Sequence, residues 1–202
     1  MKETNYSKIK SIFEKNGGYI TRSDIDNANI PSWFLSDFVK KYNLNKIAPG
    51  FYADDNYVPD DYYIIQRRYP KYIYSGLSAL YLLGLTDKIP TDIEVTAPQG
   101  YNPNRKRIDS LSIHKISDAN IYKLGIKETK TLFGNIVKTY DAERTICDFI
   151  KNRDKYESEV VIKAIRLYVK TINNQSKLFK YARALNIEKK VFEIMEVITN
   201  EN

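Results

Sequence analysis

Two sets of side chains in this sequence have the types and spacing for chemistry. The first lies in the opening fifty residues and mixes hydroxyls with cations: Thr21, Arg22 and Ser23, then Ser32, Trp33, Ser36, Lys40 and Lys41, then Lys46. Such groups suit a polyanion, because they hydrogen-bond to phosphate oxygens and to base edges of a duplex. The second is Gly76-Leu77-Ser78, followed some 14 residues later by Asp92-Ile93-Glu94. In nucleotidyl transfer a Gly-Ser turn holds phosphates, and carboxylates two apart on one strand hold Mg²⁺. Here Gly and Ser are not contiguous and no third carboxylate is evident. The expected arrangement is therefore a strand with Ile93 and Val95 inward and the charges outward.

Little else is available for catalysis. The one histidine, His114, falls on the polar side of an alternating run and has no obvious charge partner, so no acid–base role is expected for it. The one cysteine, Cys147, sits beside Ile146 and Ile150 on a helix and reads as a buried, inert thiol. One cysteine excludes an internal disulfide framework and a multi-cysteine zinc site, and one histidine argues against a histidine-based metal centre. No catalytic residue, metal or cofactor is expected.

The 202 residues are 43% hydrophobic and 28% charged, a globular composition of one medium domain or two small ones. Apolar runs such as Leu80–Leu83 fall far short of the ~20 residues that a membrane span needs. The opening MKETNYSKIK carries no apolar signal core, and a cytoplasmic location is expected. The formal charge of +7 is uneven: net +3 over 1–53, −4 over 54–65, +6 over 66–140 and +2 over 141–202. A basic chain attracts polyanions, nucleic acid first.

The elements that must position the first set are legible in outline. Tyr6, Ile9 and Phe13 keep helical spacing over Thr4 to Lys15, and Asn16-Gly17-Gly18 stops that helix. Thr21 is placed to cap a short helix through Asp24, Ile25 and Ala28, and Pro31 opens a third helix over about Ser32 to Lys41. Leu44 to Ile47 and Gly50 to Ala53 read as two short strands around Pro49-Gly50. Three helices and a β-ribbon in this order predict a winged helix-turn-helix over 1–53, whose third helix enters the major groove. Leu35, Phe38 and Val39 then face the core, while Ser32, Trp33, Ser36, Asp37 and Lys40 face outward. Asp37 repels phosphate unless it accepts from a cytosine amino group or pairs with Lys40 or Lys41. DNA binding is the favoured reading of this head, and a winged helix used for protein contacts is the alternative.

The acidic stretch 54–60 reads as a linker, and 61–202 as an α+β domain, a small sheet packed by helices. Strands are expected at Ile93–Ala97, Leu111–Ile116, Lys130–Phe133 and Ile136–Tyr140, the last two joined at Gly134-Asn135. Helices are expected at 62–69, 76–83, after Asp141, and at 157–170, 176–185 and 187–198. Arg67-Arg68 and Arg105-Lys106-Arg107 are the densest basic points and are candidate phosphate contacts. Lys163, Arg166 and Lys170 share one helix face, and Lys177, Lys180 and Arg183 lie on the next; both faces read as solvated. The tyrosines dense over 57–81 are expected to pack the junction between the domains.

Gly17-Gly18-Tyr19-Ile20-Thr21, Phe34-Leu35-Ser36 through Lys41, and Pro49-Gly50-Phe51-Tyr52 resemble the N-terminal domain of the AbiEi family. Tyr74 to Leu80 with Gly84-Leu85, Val137 to Tyr140 and Glu143 to Asp148 resemble the later blocks of that family, so that the resemblance covers about residues 4–198. It implies an antitoxin of a type IV toxin–antitoxin, or abortive infection, system that also represses its own operon. It further implies a monomer that binds inverted repeats cooperatively and bends the DNA. The implied functional partner is a nucleotidyltransferase-like toxin with which no stable complex is required. Two alternatives stand beside it: a nucleotidyltransferase or nuclease with a DNA-binding arm that uses Asp92 and Glu94, and a pure protein-interaction module.

Overall fold

In the computed structural model, which describes residues 4–103 and 110–200, helix α1 (Asn5–Lys15) begins where the Thr4 hydroxyl accepts from the Ser7 N–H at 3.2 Å. Gly17 and Gly18, both at positive φ, then turn the chain into β1 (Tyr19–Thr21). Helix α2 (Arg22–Asn27) follows without a gap, and α3 (Trp33–Lys41) comes after the turn at Asn29. Strands β2 (Asn45–Ala48) and β3 (Phe51–Ala53) complete an antiparallel sheet in the order β1-β3-β2. Strand β1 is an addition to the expected ribbon: all three of its residues are buried, so it lacks the alternation that marks a strand. Ile9, Ile20, Ile25, Ile30, Leu35 and Phe38 form the core under the three helices.

Division of the chain by its contacts gives two units, Met1–Ile64 and Ile65–Asn202. The first unit therefore contains the stretch expected as a linker. Asp54 N–H donates to the Gly18 carbonyl at 3.0 Å, and Asn45 Nδ2 donates to Asp55 at 2.6 Å. The Tyr57 ring packs edge-on against Tyr19, which is stacked on Phe51 at 4.9 Å. The polar composition of 54–60 concealed this aromatic anchor. Helix α4 (Asp61–Arg68) starts where the Asp60 carboxylate accepts from the Tyr63 N–H.

The second unit is mixed α+β. Its strands are β4 (Ile73–Tyr74), β5 (Ile93–Pro98), β6 (Leu111–Ile116), β7 (Ile126–Lys130) and β8 (Ile136–Tyr140), in the spatial order β6-β5-β4-β8-β7. Strands β5 and β6 pair in parallel, as do β4 and β8. Helices α5 (Gly76–Leu82), α6 (Ala119–Lys123) and α7 (Ala142–Lys151) intervene or follow. A 3-10 turn (Arg153–Lys155) then leads to α8 (Ser158–Thr171), α9 (Gln175–Ala184) and α10 (Glu188–Asn200). The strand expected at 130–133 lies instead at 126–130. Residues 131–135 form the loop, closed by the Thr131 N–H on the Asn135 carbonyl and by Gly134 at positive φ, and Leu132 and Phe133 are exposed at its tip. Helix α7 is the centre of the helical layer. Its Ile146, Cys147, Phe149 and Ile150 pack with Ile165, Leu178, Val191 and Met195 from the last three helices.

Candidate functional site

On the first unit, Leu35 and Phe38 of α3 face the core, and Ser32, Trp33, Ser36, Asp37 and Lys40 are exposed. This follows from helical periodicity. The Ser32 hydroxyl makes no capping bond, and Trp33, 57% exposed, stacks on Phe34 at 3.6 Å. Lys41 is directed to the rings of Tyr6 (4.6 Å) and Tyr42 (5.7 Å) rather than to Asp37. Lys46 on β2 is exposed, as are Arg22 and Ser23. The Arg22 guanidinium holds Asp26 at 2.9 Å.

Thr21 does not belong to this surface. It is buried, and its hydroxyl is consumed by a capping box with Asp24, whose carboxylate accepts from the Thr21 N–H at 2.8 Å while the Thr21 oxygen accepts from the Asp24 N–H at 3.2 Å. The Asp24 carboxylate takes up the Thr21 N–H, so Thr21 is engaged within the chain and not presented to a phosphate.

On the second unit Arg67 is exposed, and Arg68 is half-buried over the Tyr69 ring. Arg105, Lys106 and Arg107 lie outside the described residues. On the basic helix faces Lys163 meets Glu159, Arg183 meets Glu188, and Lys177 meets both Asp141 and Glu143 at 3.0 Å. Cys147 is fully buried, and burial pushes its thiol up to about 12.

The structure brings together a constellation that periodicity missed. Asp92 is exposed as expected, but Glu94 is buried. Its carboxylate accepts from the Leu77 N–H at 3.1 Å, from the Tyr156 hydroxyl at 2.9 Å and from His114 Nε2 at 3.2 Å. Burial alone would raise the pKa of Glu94, but the hydrogen bonds from His114, Leu77 and Tyr156 outweigh it and hold the carboxyl below its ordinary value. Gly76 makes the site possible, since it adopts φ +54° and a Cβ there would overlap the Glu94 carboxylate. His114 thus has a charge partner, contrary to expectation. The parallel pairing of β5 and β6, which sets His114 beside Thr96, is what supplies it. Strands that follow one another in sequence usually suggest an antiparallel hairpin, and the sole hint was the 12-residue connection 99–110, long enough for a parallel return.

His114 lines an open cleft of about 600 Å³ on the second unit. Its walls come from β6, Thr96 of β5, the starts of α5 and α6, α7 from Arg144 to Lys151, the turn at 152–156 and Leu185. Within it Arg144, only 1% exposed, bonds Asp148 at 2.9 Å and donates to the carbonyls of Ile121 and Leu124, its guanidinium over the Tyr140 ring at 4.4 Å. Gly125 admits this close approach, because a Cβ there would lie 2.7 Å from that of Arg144.

No family model and no curated protein matches the sequence. Among solved structures, the chain is similar in fold to the crystal structure of the RV2827C protein from Mycobacterium tuberculosis. The TM-score is 0.50 at 12% identity, over 93% of this chain and 77% of that one. Among the described residues no helix is long and apolar enough to cross a membrane.

Proposed function

We propose that the first unit is a winged helix that binds duplex DNA through α3, and that the chain is an autorepressor and antitoxin of the AbiEi kind. The observation that carries the DNA-binding part is the single exposed face of α3. Ser32, Ser36 and Lys40 share it, while Leu35 and Phe38 hold the helix to the core. Three helices followed by a short antiparallel sheet, with Lys46 exposed on β2, match the order in which such heads present a recognition helix and a wing. Trp33 and Lys41 lie on the same helix, Arg22 and Ser23 are exposed on α2, and in the second unit Arg67, Arg105, Lys106 and Arg107 are further candidate cations for the phosphate backbone. The operon-level and antitoxin roles rest on the family resemblance in the residues quoted above. The second unit is then the antitoxic part, countering a nucleotidyltransferase-like toxin, for which no stable complex is required.

A gel-shift on the chain's own promoter tests the reading. Specific retardation at moderate salt is expected, lost or broadly weakened in Lys40→Glu/Lys41→Glu. Absence of specific retardation removes the repressor role, and undiminished affinity in the double variant removes α3 as the reading element. Use of Asp92 and Glu94 as a paired metal site gains no support, since Glu94 already takes three donors from the chain and Asp92 is exposed.

A further inference from the structure

We infer that the cleft on the second unit binds a nucleoside monophosphate, its phosphate between Lys151, Lys155 and His114 and its base against the apolar wall. Three observations converge. The first is charge: the lining holds Lys115, Arg144, Lys151 and Lys155 against the carboxylates of Asp118 and Asp148 alone. Arg144 is committed to Asp148, and Lys115 to the Tyr101 carbonyl and the Asn102 side chain. The side chains of Lys151 and Lys155 make no hydrogen bond or close ion pair among the described residues, Lys151 having only an electrostatic pull on Asp148, and both are exposed at the mouth. Two exposed ammonium groups flanking one cleft, neither held in a close ion pair among the described residues, favour a dianion.

The second observation is the construction behind His114. A buried carboxylate with three donors is a costly thing to fold around, and here it fixes one imidazole at the cleft wall. Glu94 occupies Nε2, which leaves Nδ1 for a molecule in the cleft. The third is the shape of the cavity. About 600 Å³ falls within the range that small-molecule sites occupy, and Ile116, Ile121 and Leu185 give the lining an apolar part. A free phosphate would leave that part unused, whereas a nucleoside without phosphate would leave the lysines unanswered. A nucleotide uses both. The inference concerns the second unit alone and does not depend on DNA binding by α3.

Because His114 is the one histidine in the chain, its imidazole C2–H gives a single, assignable NMR signal. The full-length protein would be titrated separately with 5′-AMP, 5′-GMP, 5′-CMP and 5′-UMP, with adenosine and inorganic phosphate as controls. At least one nucleotide is expected to move the His114 signal saturably, and to bind at least about tenfold more tightly than either control, a factor of ten being ~1.4 kcal/mol. Lys151→Gln/Lys155→Gln, at exposed positions, should weaken that binding by about tenfold with the folded spectrum intact. Lys40→Glu/Lys41→Glu should leave it unchanged. The inference is overturned if no nucleotide moves the signal at millimolar concentration. Equal binding of adenosine, or of phosphate alone, overturns it too, as does an undiminished affinity in the Lys151/Lys155 variant.

Discussion

Glu94 illustrates what a buried charge requires. Its desolvation opposes ionisation, and three donors from different parts of the second unit reverse the balance. An acid whose folded value lies below its unfolded one, about 4.3 for Glu, contributes stability in full above that unfolded value. The contribution disappears as pH falls through the lower, folded value. Glu94→Gln should therefore lower stability at pH 7 by about 2 kcal/mol, the scale of a hydrogen bond to a buried charge. The gap between variant and wild type should then narrow below about pH 4, as the wild-type carboxylate takes up a proton. Urea unfolding across pH 3 to 7 measures this, and a gap that stays constant would show that Glu94 is not held ionised. Gly76 is the complementary test. An alanine there meets both the positive φ and the Glu94 carboxylate, so Gly76→Ala should cost about 2–4 kcal/mol. A melting temperature unchanged from wild type would mean that the close approach is absent.

The elements divide by how much of their cause is local. Helices α1 and α7 are legible because their capping residues, Thr4 and Asp141, accept from the N–H three residues on, and their apolar spacing points to one core. Strand β1, of three buried residues, and β4, of two, are too short for any alternation to register, and pairing partners distant in sequence create them. The same reason hid the cleft: Glu94 and His114 meet through a parallel pairing, and Tyr156 reaches them from 62 residues away. At Thr21 the residue type signals a helix cap, and the capping box with Asp24 uses the hydroxyl that would otherwise be open to a ligand. Thr21→Ala should remove that box and destabilise the chain by about 1 kcal/mol. This corresponds to roughly 2–4 °C in the melting temperature of a chain of this size. Thr21→Ser should restore most of the loss, and a full loss in the serine variant would point to the methyl group rather than the cap.

Across the whole molecule, the charge tally changes meaning once the units are known. Residues 1–53 carry net +3, but the first unit runs through Ile64 and takes in the four aspartates of the acidic stretch, which brings it to −1 and leaves +8 for the second unit. Long-range attraction of a polyanion therefore belongs to the second unit, and what the first unit offers DNA is local placement of a few donors. Composition showed that the chain is basic, yet it could not show which body carries the excess, because packing of Tyr57 against Tyr19 decides where 54–60 belongs. On α3 the two lysines then differ in a measurable way. Each lysine that neutralises a phosphate contributes about 0.9 to the slope of log affinity against log salt. Lys40 is exposed, whereas Lys41 lies over Tyr6 and Tyr42. Promoter-binding affinity measured from about 50 to 200 mM salt should show the slope reduced by about 0.9 in Lys40→Gln and by clearly less in Lys41→Gln. Equal reductions would place Lys41 on the DNA despite its aromatic contacts, and an unchanged slope in Lys40→Gln would take α3 off the phosphate backbone.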